Sequence, residues 1–271
     1  SRGLGDVYKR QGATLLAMSL GLMLGPAFAA MFIDEKASAL TWSLPFFIMA
    51  ALFAVSAAML CFSMKDPAAV KGLKLSQIDW LGGLRDLRKL MDSGKSRRLI
   101  AIFCLNQVGA GAFFAAVPLV LESSGGFSPR EIAAFLSAEG IFSGAVFAFF
   151  GPMLLKRTSL KNALVIGLSA SVITIAVPLV FDNYFALWSI TILQATGFGI
   201  TYFTTLAIFS ENAPDGKRGW VLSVLSSLWG LTMGGGLALC GVLAGISNAT
   251  CVSACLMLCA AALFISRKTS V

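Results

Sequence analysis

The chemistry of this sequence turns on Glu139. Of the thirteen acidic side chains, twelve lie in the first eleven residues, in polar connections or at the ends of apolar runs, and Glu139 alone sits deep inside one. Its run opens on Ser128, Pro129, Arg130 and Glu131, a capping-box sequence with proline in the first turn. Ten residues of helix at about 1.5 Å each then place Glu139 about 15 Å from the helix start. A carboxyl group at that depth in a bilayer is costly unless it is protonated, paired or facing water, so such residues mark ion or substrate pathways. The chemistry implied is proton exchange or contact with a cationic substrate. The alternative is a protonated carboxyl that hydrogen-bonds a neighbouring helix and plays no part in turnover. No lysine or arginine lies deep inside an apolar run to pair with it.

Uncharged polar side chains form a second constellation. Asn106 and Gln107 interrupt one apolar run and Gln194 another. In the latter, Thr191, Gln194, Phe198, Thr201 and Thr205 recur at i, i+3, i+7, i+10 and i+14, with Tyr202 at the edge of the stripe. Hydroxyls, an amide and a ring along one helix face suit water or a bound molecule. Hydrogen bonding between helices, worth under about 1 kcal/mol per contact on average, would use the same residues.

The elements that must position these groups are read from the apolar runs. The chain is 57% hydrophobic and 13% charged, with a mean hydropathy of +0.84, against roughly 45–50% and about 25% in soluble domains. The apolar residues fall into runs of about 18 to 25, the length that crosses a bilayer as helix. Backbone amides in lipid must be satisfied internally, and no ten-residue alternation of barrel strands appears, so the runs are helices and no sheet is expected. Eight spans result: 12–33, 44–63, 99–121, 129–155, 162–181, 184–210, 220–245 and 248–266.

Lysine and arginine set the orientation. Sixteen lie on the side holding residues 64–98 and the C-terminus, and only Lys36 and Arg130 lie on the other, so the long loop and C-terminus are expected to be cytoplasmic. Within that loop, Ile78, Leu81, Leu84, Leu87 and Met91 can share a face opposite Asp79, Arg85, Asp86 and Lys89, which reads as an interfacial helix over Gln77 to Met91. Residues Ser1 to Gln11 resemble a non-native, adapter-derived scar and are set aside.

Other function classes find little support. The net charge of +8 is spread over short loops without a basic, aromatic-rich domain, so no nucleic-acid partner is expected. Cys61, Cys104, Cys240, Cys251, Cys255 and Cys259 all lie in apolar runs and read as packing residues. Cys251, Cys255 and Cys259 share a face, yet the chain has no histidine and that face no carboxylate, so neither a metal nor another cofactor is expected. No nucleophile, base and orienting acid converge on one span, which argues against a hydrolase or any other enzyme.

Gly21, Gly25 and Pro26, in the order G-L-M-L-G-P-A-F-A-A, resemble the G-x-x-x-G-P-x-x-G-G motif in the fifth helix of drug and proton antiporters of the major facilitator superfamily, with Ala29 and Ala30 in place of the last glycines. Gly151, Lys156, Arg157 and Lys161 resemble the glycine-plus-basic loop of the same family, with Leu155 about where that loop has its acidic residue; the alternative is a plain positive-inside anchor. The resemblance covers Gly12 to Lys268 and implies an all-α, polytopic membrane protein contributing eight helices of a twelve-helix fold. Residues 12–63 would be the last two helices of an N-terminal six-helix bundle, 64–98 the cytoplasmic loop and 99–271 the C-terminal bundle with a short tail. The first four helices would then be missing from this polypeptide.

The resemblance further implies alternating access around a midplane cavity. Phe113, Phe114, Phe198, Thr201 and Tyr202 would line it, and Glu139, Asn106, Gln107 and Gln194 would bind substrate or couple protons. Gly21 and Gly25 would meet Gly140 and Gly144 at a gate seam, the alternative being ordinary packing, while Gly230 and Gly234 would face the missing second helix. The activity implied is proton-coupled export of amphipathic or cationic small molecules across a bacterial inner membrane. A metabolite symporter or facilitator of the same fold, or a non-transporting membrane sensor, would fit the same architecture.

Overall fold

The computed structural model describes residues 17–32, 39–63, 88, 90–91, 93–213 and 217–269. Among them all regular structure is helical and no strand occurs. The helices are α1 (Ala17–Ala30), α2 (Ala39–Ser63), α3 (Gly94–Gly125), α4 (Pro129–Ala145), α5 (Gly151–Arg157), α6 (Leu160–Val180), α7 (Tyr184–Glu211), α8 (Arg218–Ala244) and α9 (Asn248–Arg267). A π-helical turn, Val146–Phe150, joins α4 to α5, so Pro129–Arg157 is one continuous span. Seven described helices are long and apolar enough to cross a bilayer, and α1 is a shorter apolar helix. Most of the expected interfacial helix, and Ser1 to Gln11, lie outside the described residues.

Local chemistry sets the helix ends. Ser128 and Glu131 close the expected capping box: the Ser128 N–H donates to Glu131 Oε2 at 2.8 Å and the Glu131 N–H to Ser128 Oγ at 3.3 Å. Ser93, Ser159, Asn183 and Ser247 cap α3, α6, α7 and α9 through side-chain oxygens that accept from the third residue on. Helix α3 starts at Gly94, five residues before the expected span, because the cap at Ser93 lets Lys95, Arg97 and Arg98 form a polar first turn that an apolar count leaves out. It ends in Gly126 with φ 63°, where the Phe127 N–H donates back to the Leu121 carbonyl at 3.0 Å. The π turn has an equally local cause. Pro152 has no N–H and its ring crowds the carbonyl of Ala148, so the Gly151 N–H reaches back five residues to the Val146 carbonyl and the helix widens by one residue.

Packing makes α3 and α7 the inner helices, their spans burying 67% and 78% of residues against 22–39% for α4–α5, α6, α8 and α9. The most extensive helix–helix contacts run in the order α8, α3, α9, α6, α7 and α4. Within the bundle of α3 to α9, the α3–α8 and α6–α7 crossings bring backbones together at glycine. A Cβ on Gly111 or Gly236 would strike the backbone of Met233 or Val108 where α3 crosses α8, and one on Gly197 would lie 2.5 Å from the Ser171 nitrogen where α7 crosses α6.

Apolar side chains then fill two layers. One layer, nearer the α3–α4 turn, contains Phe113, Leu121, Phe127, Phe135, Leu187 and the thiols of Cys240, Cys251, Cys255 and Cys259. The other, nearer the start of α3, contains Phe103, Leu164, Leu168, Phe209 and Leu225, with Leu90 and Met91 packed against it. The described side chains of α2, by contrast, are mostly exposed and its apolar window is 0% buried, so this helix takes no part in the core.

Candidate functional site

Between the two apolar layers lies a cavity of about 330 Å³. Each helix around it contributes one face. From α3 come Gln107, Ala110 and Phe114, at i, i+3 and i+7, and from α4 and the π turn come Glu139, Ser143 and Phe147, at i, i+4 and i+8. Helix α7 presents Gln194, Phe198 and Tyr202 on one face, with Gly199 beside them. Trp229 and Met233 of α8 close the far side, and Met18, Ser19 and Leu22 of α1 cover the cavity.

Depth can be read along the helices. Glu139 and Gln194 each lie ten residues into α4 and α7, both about 15 Å from the same end of the bundle. Helix α3 runs the other way, so Phe114 stands about level with them, and Gln107 lies about 10 Å further toward the opposite end. Tyr202 and Trp229, with ring centroids 5.9 Å apart, form an aromatic wall on that side.

Three polar side chains of the cavity are buried with atoms that have no protein partner. Glu139 is 3% exposed, Gln107 3% and Gln194 1%. Glu139 Oε2, Gln107 Nε2 and both Nε2 and Oε1 of Gln194 have no hydrogen-bond partner. Such groups are expensive in an apolar interior and are normally paired. Two hydroxyls of α7 behave differently, since Thr191 Oγ1 donates to the Trp188 carbonyl at 2.8 Å and Thr205 Oγ1 to the Thr201 carbonyl at 2.8 Å, whereas Thr201, Thr204 and Ser210 of the same helix have unpartnered hydroxyls. Thr191 and Thr205 are satisfied within their own helix, as serine and threonine in membrane helices often are.

Six of the expected residues thus surround one cavity: Gln107, Phe114, Glu139, Gln194, Phe198 and Tyr202. Asn106, Phe113 and Thr201 do not. Asn106 and Phe113 each precede a lining residue by one position, a rotation of about 100° around α3. Phe113 consequently stands behind Phe198, ring centroids 6.3 Å apart, within the apolar layer. Asn106 is fully buried off the cavity face, both amide atoms unpartnered. Thr201 follows Phe198 by three residues rather than four and falls on the flank toward α6, where its Oγ1 is 2.6 Å from a Cβ built on Gly167.

The glycine seam is likewise redistributed. Gly140 meets α1 so closely that a Cβ there would strike the backbone of Leu22 and Met23, and Gly144 is buried on the same helix. Gly21 and Gly25 are not part of the contact, because a Cβ on either would meet nothing within 4 Å. The close approach thus needs glycine on one helix only. Pro26 lies four residues past Leu22, half-buried. Gly230 and Gly234 likewise have nothing within 4 Å.

Trp229, Met233, Ser143, Phe147 and the α1 residues were not singled out by the sequence. Ser143 and Phe147 were within reach, since they continue the Glu139 face at helical spacing. Trp229 and Met233 carry no such signal, for nothing in α8 alone says which face meets α7. Among known proteins, the family model described as Major Facilitator Superfamily matches residues 6–236. No curated protein matches the chain.

Proposed function

Because the chain belongs to the major facilitator superfamily and is therefore a multi-pass membrane transporter, we propose that it carries small amphipathic or cationic molecules outward by alternating access, coupled to protons. The observation that carries this reading is Glu139, a carboxyl group 3% exposed and lining a cavity of about 330 Å³ among aromatic rings and unpaired amides. In this mechanism Glu139 holds a proton while the cavity faces one side and releases it when the cavity faces the other. Phe114, Phe198 and Tyr202 supply the apolar wall, and Gln107 and Gln194 orient the substrate. The contact of α1 with Gly140 is the seam along which the helices rock. No covalent step is involved.

The sixteen-to-two split of basic residues supports a cytoplasmic position for the long loop and C-terminus in a bacterial inner membrane. In proteoliposomes under an imposed pH gradient, Glu139→Gln is expected to abolish proton-driven flux while leaving the protein folded. Proton-coupled flux at the unsubstituted rate would remove Glu139 from the mechanism.

A further inference from the structure

The unpaired atoms of the cavity define its ligand more narrowly than amphipathic character does. Gln194 presents a free acceptor and a free donor side by side on one carboxamide, both buried and both without a protein partner. At about the same depth, on the neighbouring helix α4, Glu139 presents an unpaired oxygen. A permanently charged quaternary cation can answer the carboxylate by charge alone. It has no N–H to give and no lone pair to accept, so both Gln194 atoms stay buried and unpaired, and Gln107 Nε2 with them. Sites built to hydrogen-bond a ligand discriminate strongly against analogues lacking the matching groups, because the site's own polar atoms are then stranded.

We propose that the preferred ligand is a planar nitrogen heterocycle, neutral or singly protonated, whose edge sets an N–H donor beside a carbonyl or ring-nitrogen acceptor, as in a cyclic amide or an amino-azine. The ligand N–H donates to Gln194 Oε1 while Gln194 Nε2 donates to the adjacent acceptor, a closed two-bond pairing. A second, exocyclic N–H donates to Glu139 Oε2. The ring lies against Phe198, Tyr202 and Trp229, and Gln107 Nε2, about 10 Å away by helix rise, reaches an acceptor at the distal end. A cavity of about 330 Å³ is at the small end of ligand pockets, roughly 300–1,000 Å³, which suits a two-ring ligand.

This inference rests on the cavity being the transport site, and its test separates the two. Tritiated 2-aminoquinazolin-4-one is bound to the purified protein in a scintillation proximity assay and displaced by unlabelled compound or by N-methylquinolinium, a quaternary ion of similar size. The unlabelled heterocycle is expected to compete at least tenfold more tightly. In Gln194→Leu, or Gln194→Met should the leucine variant fail to fold, that preference should shrink to about onefold with the quinolinium affinity unchanged. Equal or tighter binding of the quinolinium by the unsubstituted protein, a preference untouched at Gln194, or no saturable binding of the heterocycle would each overturn the proposal. Flux in proteoliposomes is scored separately. Selective binding without proton-driven flux would leave the ligand assignment standing and remove the transport mechanism, whereas proton-driven flux of quaternary ions alone would do the reverse.

Discussion

At the scale of single residues, the molecule concentrates its cost in a few side chains. Glu139, Gln107 and Gln194 are nearly inaccessible yet lack protein partners for key atoms, and an unpaired buried polar group costs about 1–3 kcal/mol. Replacing one by an apolar side chain of similar shape should therefore stabilise the fold while impairing binding. Gln194→Leu is expected to raise the midpoint of thermal unfolding in detergent by a few degrees, and a lower midpoint would mean that the amide is paired after all. Residue-level legibility followed the same logic. Glu139 was visible because a lone carboxyl in an apolar run is conspicuous whatever surrounds it. Asn106 is polar in the same way and lies one residue from Gln107, yet only the packing of α3 decides which of the two faces the cavity.

At the scale of elements, helix existence and most boundaries followed from run length and caps, since both are local. The contacts between helices did not. Gly21 and Gly25 carry the family-like motif, but the close approach to α1 is made at Gly140. Gly140→Val is expected to force α1 away from α4 and to reduce transport severely, whereas Gly25→Val, entering open space, should leave the rate within about twofold. Equal loss in both variants would argue that the motif, not the contact, matters. A bulkier residue at the α3–α8 crossing overpacks backbone against backbone, so Gly236→Val should destabilise the protein by about 1–3 kcal/mol, read from its thermal midpoint. The π turn is a further device of this scale. By adding one residue to the turn before Gly151 it advances the helix face by about 100°, which keeps Phe147 on the cavity while Gly151 packs on Phe203.

At the scale of the whole molecule, two apolar layers are stacked along the helix bundle with a partly polar cavity between them, covered by α1. That arrangement suits the alternating access proposed above, in which the layers would open in turn while the cavity groups keep their places. Orientation belongs to this scale too. Lys268→Cys should react with a membrane-impermeant maleimide in inverted vesicles and not in intact cells, and the opposite pattern would reverse the topology drawn from the basic residues. What the sequence determined by itself was what depends on a residue and its chain neighbours: an apolar, all-helical chain, its caps, and a carboxyl about 15 Å into its helix. Only the tertiary structure decided which faces converge, because a helix that is apolar on every side carries no mark of which side is inner. The cavity exists where α3, α4, α7, α8 and α1 turn their few polar and aromatic faces to one another, and that choice is made by glycine-mediated close packing between segments far apart in the chain.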